Sequence, residues 1–239
     1  MLQNSKKAVL IGETKLCIQC AEYLIKREWK IVCVVSEDEE VVSWAKSQLI
    51  SVTSISQVNA TAGSGFYLFS IINPYIIPAA ILANPKLLLA INYHDSPLPK
   101  YAGVNSTTWA ILNNEKSHGV TLHQITAGID DGDIIAQAII DIEKDETAIA
   151  LNLKCSERLL SLFQDVITKI ETKTLTVFKQ DLTDRSYYGL KYLPSNYAVI
   201  NGIKEVEKLR QLVRGLDFGK GYVNPVASVK IWLNGKFYI

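Results

Sequence analysis

FYLFSIINPYIIPAAILANPKLLLAINYH, residues 66–94, sets the architecture of this chain. Its two near-continuous apolar runs, FYLFSII and LLLAINYH, are strand-length and lack the polar alternation of a sheet with one wet face. Such runs belong to strands buried on both sides, in a mostly parallel sheet covered by helices. Pro78 interrupts the apolar stretch YIIPAAILA between them, so the stretch is not a membrane span. On the N-terminal side, AVLI (8–11) stops at Gly12, and TKLCIQCAEYLIKRE then repeats apolar residues at helical spacing, a strand–turn–helix unit. KIVCVV is a second strand and EEVVSWAKSQL a second helix, followed by a polar stretch of Ser, Thr, Asn and Gly over 51–65. Strands alternating with helices predict an α/β, doubly wound fold with helices on both faces.

The 239 residues, 48% of them hydrophobic and 21% charged, suffice for one domain of moderate size and a smaller appendage. A formal net charge of +1, from 25 basic and 24 acidic residues, leaves no electrostatic footprint for nucleic acid or an anionic membrane. Lys6 and Lys7 precede an apolar run that ends at Ile11, too short for a signal-peptide core. Cys17, Cys20, Cys33 and Cys155 show no disulfide-framework spacing, which predicts a cytoplasmic protein. Cys17 and Cys20 form a CIQC, but both sulfurs fall on the apolar face of LCIQCAEYLI, where cysteine packs as a small hydrophobe. A redox or zinc role would need an exposed thiolate or a second ligand pair.

A doubly wound sheet invites a dinucleotide, yet Gly12 is followed by Glu13 where a pyrophosphate turn reads GxGxxG. The chemistry gathers instead between residues 92 and 133. All three histidines (His94, His118, His123) fall there, with Asn92 and the acidic group Asp130, Asp131 and Asp133. Strand alternation points Asn92 and His94 the same way, at the carboxyl end where open α/β sheets bind ligands. GVTLHQI (119–125) is a second alternating strand with Thr121 and His123 on one face, and AGIDDGD turns the chain into IIAQAII. His118, beside Gly119 in a polar turn, is expected to be exposed. Calcium spacing is missing from DDGD, and HxH, HExxH and cysteine partners are missing around His94 and His123, so no metal is expected.

Asn92-x-His94, Leu98-Pro99-x-Tyr101-x-Gly103, Gly119-Val-Thr121-x-His123 and Asp130-x-Gly132-x-Ile134 together resemble the signature of the folate-dependent formyltransferases, over roughly residues 8–180. That group includes the glycinamide ribonucleotide, methionyl-tRNA and sugar N-formyltransferases. The resemblance implies the formyltransferase fold, 10-formyltetrahydrofolate as donor, and a catalytic triad of Asn92, His94 and Asp130. It also implies folate contacts near Ile76, Ile77, Ile129 and His123, and leaves Asp131 facing solvent. Family members read H-P-S-L-L-P or a close variant where this chain has His94-Asp95-Ser96-Pro97-Leu98-Pro99, so Asp95 and Pro97 bear on acceptor choice.

INYHD, LPKYAGV, VLIGETKLCIQCAEYL and RGLDFGKGYVNP are similar, more narrowly, to the formyltransferase-like domains that begin some bacterial, notably cyanobacterial, non-ribosomal peptide synthetases. That likeness implies an amine acceptor on a peptidyl carrier protein and an adjacent adenylation domain. A sugar-nucleotide amine, water (a 10-formyltetrahydrofolate hydrolase) and a degenerate docking module are the alternatives. TAIALNLKCSERLLSLFQDVITKI closes a catalytic domain expected over 1–183. Residues 184–239 then hold an amphipathic helix (GIKEVEKLRQLVRGLDF) and a hairpin on Asn234-Gly235. This part looks like the beginning of the family's small β-barrel-like C-terminal subdomain, a partial α+β unit expected of a segment of a longer polypeptide.

Overall fold

The structure is a computed structural model that describes residues 6–201 and 206–238; the start of the expected C-terminal helix (202–205) and Ile239 lie outside the described residues. In chain order the elements are β1 (Lys7–Gly12), α1 (Thr14–Lys26), β2 (Lys30–Val35), α2 (Glu39–Ser47), β3 (Ser51–Val52), α3 (Val58–Ala62) and β4 (Phe66–Ile71). They continue with α4 (Ala79–Leu82), β5 (Leu87–His94), β6 (Ala102–Gly103), α5 (Ser106–Leu112), β7 (Ser117–Gln124), β8 (Ile134–Asp141) and α6 (Ala148–Thr172). The last are β9 (Tyr187–Tyr188), β10 (Val199–Asn201), α7 (Val206–Leu216), β11 (Lys230–Leu233) and β12 (Lys236–Tyr238). Two compact units result: Met1–His94 with Thr121–Gln137 and Arg158–Gln180, and Asp95–Val120 with Ala138–Glu157 and Asp181–Ile239.

The first unit is built on a sheet of strand order β3-β2-β1-β4-β5-β7-β8. β3, β2, β1, β4 and β5 run parallel, and β7 pairs antiparallel with β5. This is the expected doubly wound α/β architecture. Phe66, Leu68 and Phe69 of β4 are fully buried, as are Val9, Leu10 and Ile11 of β1. Each such side chain contributes about 1.5–3 kcal/mol. Phe69 meets Phe163 of α6 edge-on at 5.3 Å, and Phe163 meets Tyr23 of α1 at 6.4 Å, so the two helices share an aromatic seam with the sheet.

Cys17 and Cys20 are buried with Leu16, Ala21 and Leu24 on the inner face of α1. Burial pushes the Cys17 thiol up to about 12 and Cys20 well above its usual range. The CIQC therefore packs the helix and supplies no reactive thiolate. Glu13, the residue that argued against a dinucleotide, accepts hydrogen bonds from Ser36 Oγ at 2.6 Å and from the backbone N–H of Asp38 at 2.7 Å. Its carboxylate braces the turn after β2, while Asp38 caps α2 by accepting from Val41 N at 3.0 Å.

Gly12 is required by a close approach. It pairs with Ile71 of β4, and a Cβ there would lie 2.0 Å from the Ile71 carbonyl oxygen. Gly12→Ala forces β1 and β4 apart in the centre of the sheet. It is expected to cost about 3 kcal/mol and lower the melting temperature by about 6–12 °C in calorimetry. An unchanged melting temperature would contradict this account.

The second unit packs Tyr101, Trp109, Leu212, Leu216, Ala198, Ile200 and Val226 into its own core. Tyr188 stacks between Trp109 at 4.7 Å and Tyr101 at 5.4 Å. His118 departs from expectation: it is fully buried, hydrogen-bonded through Nε2 to the Asp95 carbonyl at 2.6 Å, with its ring edge-on to Tyr101. The expected turn is the start of β7, which carries His118 inward. Asp95 also accepts the Ser106 hydroxyl on that carbonyl, at 2.7 Å.

The polar stretch 51–65 forms the short β3 and α3, too brief for periodicity to register. α7 follows the amphipathic reading over its described part, and β11 and β12 turn on Asn234 and Gly235, at φ 52° and 76°. With β10 they form a three-stranded sheet. Among the described residues, no helix is long and apolar enough to cross a membrane.

Candidate active site

Three adjacent strands of the first unit bring the predicted chemistry together. Ser70 of β4 is the register partner of Asn92 of β5, and Asn92 is the partner of His123 of β7; His94 faces Thr121 across the same pair of strands. Because side chains on paired residues project to the same face, one patch collects Ser70, Asn92, His123, His94 and Thr121. Ser70, His94, Thr121 and His123 are buried and Asn92 is half-buried.

Asp130 comes from the loop between β7 and β8. Its carboxylate lies 3.7 Å from His94 Nδ1 and 3.5 Å from His123 Nε2, with the side chain 11% exposed. Both distances are longer than a hydrogen bond, of the kind that tighten when substrate enters. The loop reaches the histidines because Gly132 packs directly against β7: a Cβ there would lie 1.9 Å from the Gln124 carbonyl oxygen. Asp130 takes φ 51°, a left-handed conformation that aspartate tolerates. Gln180 Nε2 clamps the loop by donating to the carbonyls of Asp130 at 3.1 Å and Gly132 at 2.6 Å. Asp131, expected to face solvent, is half-buried and accepts the Thr126 hydroxyl, because the loop folds back on itself.

The hydrogen-bond directions in this patch follow from counting donors. His123 Nδ1 donates to the Gln124 carbonyl at 2.8 Å, so its Nε2 presents a lone pair. Asn92 Nδ2 donates to that Nε2 at 3.1 Å, and Asn92 Oδ1 accepts the Ser70 hydroxyl at 2.6 Å. The second N–H of Asn92 has no partner among the described residues. A buried imidazole, a carboxylate and this N–H thus stand together at the carboxyl end of β5, equipped to bind a developing negative charge and to move a proton.

The remaining predicted positions flank this patch. Ile76 is 84% exposed and Ile129 is 49% exposed, both on loops, whereas Ile77 is buried against the sheet. Ile129 adjoins Asp130, and Ile76 follows Tyr75, whose backbone is bound to Asn73 and through it to Ser70. His123 lies against both Asn92 and Asp130. Sequence reasoning missed Ser70, Asn73 and Gln180. Ser70, the one polar residue in FYLFSII, carried a usable signal; Gln180 lies 50 positions from Asp130 and carried none. Among the described residues no group of three His, Cys, Asp or Glu could hold a metal ion.

Residues 74–167 match the family model described as formyl transferase. The methionyl-tRNA formyltransferase of Lachnospira eligens is 30% identical over 161 residues, covering 67% of this chain and 48% of that protein. The chain thus matches about half the length of such curated relatives. The N-formyltransferase of Helicobacter canadensis, solved with folinic acid and dTDP-3-aminofucose, superposes with a TM-score of 0.76 at 24% identity, over 96% of this chain and 85% of that one. The 4-N formyltransferase of Francisella tularensis gives 0.77 at 19% identity, over 97% and 95%. The fold is the formyltransferase fold.

Proposed function

We propose that this chain, a formyltransferase-family protein across residues 74–167, transfers a formyl group from 10-formyltetrahydrofolate to a primary amine. One observation carries the reading: Asn92 holds an amide N–H without a partner among the described residues beside buried His94, with the Asp130 carboxylate 3.7 Å from that histidine. An amine attacking a formyl amide forms a carbon–nitrogen bond and a tetrahedral oxyanion. The N–H of Asn92 and a ring N–H of His94 stabilise that oxygen. Asp130, beside that histidine, accepts the proton that the attacking amine must lose. As the bond to the folate nitrogen breaks, that proton passes to the nitrogen, directly or through water.

The pterin lies along the segment containing Ile76 and Ile77 and the loop at Ile129, whose backbone groups meet its polar edge. His123, on the same face, closes the folate side. The complex of the Helicobacter canadensis protein with folinic acid supports a reduced-folate donor here.

The acceptor is the amino group of a starter amino acid carried as a thioester on a peptidyl carrier protein, with an adenylation domain as neighbour. The sequence likeness of INYHD, LPKYAGV and RGLDFGKGYVNP to synthetase-borne domains supports this acceptor. A second reading, an amino group on a nucleotide-linked sugar, is favoured by the fold match to a protein solved with dTDP-3-aminofucose. The two are separated by incubating the protein and 10-formyltetrahydrofolate with an aminoacyl-loaded carrier, an aminosugar nucleotide, or no acceptor. A formylated aminoacyl carrier is expected. A formylated sugar moves the acceptor to the second reading, and formate released without acceptor makes the protein a hydrolase. No product and no folate binding would leave a docking module and overturn the proposal.

A further inference from the structure

We infer that Ser70 is a positioning residue that holds the Asn92 amide with its N–H toward the reacting formyl group; the inference rests on the formyl-transfer reading above. An asparagine side chain is nearly symmetric in shape but opposite in function at its two ends. Turned over, Asn92 would present an oxygen to the developing oxyanion and repel it. The orientation therefore has to be enforced by its neighbours, and the chain supplies a one-way series of donors that does so.

The series starts on rigid backbone. Asn73 Oδ1 accepts the N–H of Tyr75 at 2.8 Å, and Asn73 Nδ2 donates to the carbonyl of Tyr75 at 2.9 Å, so the Asn73 amide has one orientation. The same Nδ2 donates to Ser70 Oγ at 3.1 Å. That nitrogen can only donate, so the single hydroxyl proton of Ser70 goes to its other contact, Asn92 Oδ1, at 2.6 Å. Asn92 Nδ2 then donates one N–H to His123 Nε2, whose ring is held by the Gln124 carbonyl. Each amide and ring in the row Asn73, Ser70, Asn92, His123 has its direction set by the one before it or by main chain. Ser70 is 1% exposed, so water does not compete for its proton. Linked donors of this kind polarise one another and preorganise the terminal group.

Ser70 touches no reacting atom in this account and acts through Asn92, which makes the inference separable from a general structural role. Ser70→Ala is expected to lower kcat about tenfold while folate affinity stays near the parent value. In an Asn92→Ala background the same change is expected to cost nothing further, because the group it orients is gone. Ser70→Cys, close in volume but a weak donor, gives a loss in the same direction should the alanine variant fold poorly. Side-chain amide resonances in nitrogen-15-labelled protein, with Asn92 assigned from their loss in Asn92→Asp, report the orientation without turnover. The Asn92 protons are expected to exchange slowly with solvent in the parent and much faster in Ser70→Ala. Parent kcat in Ser70→Ala, losses that multiply in the double variant, or unchanged amide exchange would overturn the inference. Absence of formyl transfer by the parent itself with every acceptor would sink the functional reading, while the exchange measurement still judges whether Ser70 pins Asn92.

Discussion

His94→Ala lowers formyl-transfer turnover by at least about a hundredfold while the folate remains bound, measured as kcat with a competent acceptor and as folate affinity by fluorescence. The size follows from position. His94 sits at the end of β5, 6% exposed, 3.7 Å from the Asp130 carboxylate. In such a buried site a donor to the oxyanion is worth far more than in water. Folate affinity survives because the backbone edges proposed for the pterin, near Ile76, Ile77 and Ile129, are left in place. Turnover at the parent rate in this variant would remove His94 from the mechanism.

Asp130→Asn is expected to give a loss of similar size by a different route. Asparagine keeps the shape, and the main-chain clamp from Gln180 to the carbonyls of residues 130 and 132 does not depend on the carboxylate. The oxygen proposed to take the amine proton is lost. A parent-like rate in Asp130→Asn would count against this role.

Much of this site was legible before any coordinates. LLLAINYH proved to be β5 from Leu87 to His94, and strand alternation alone put Asn92 and His94 on one face and Thr121 and His123 on another strand's face. The strands are long, apolar and uninterrupted, so local pattern and tertiary burial agree. His118 was misread because a Ser-His-Gly sequence scores as a turn, whereas its surroundings, Tyr101 and the Asp95 carbonyl, come from elsewhere in the chain.

Period and composition were enough to establish a doubly wound α/β chain with its polar chemistry at the end of β5, since both depend on the order of residues within single strands. How that chemistry is assembled depended on folding in three dimensions. Asp130 reaches His94 because Gly132 can lie against the Gln124 carbonyl, and Asn92 has a defined donor end because Ser70, 22 residues earlier, is its neighbour in the sheet. Register between strands and the direction of a hydrogen bond are relations between distant residues, and local pattern carries no record of them.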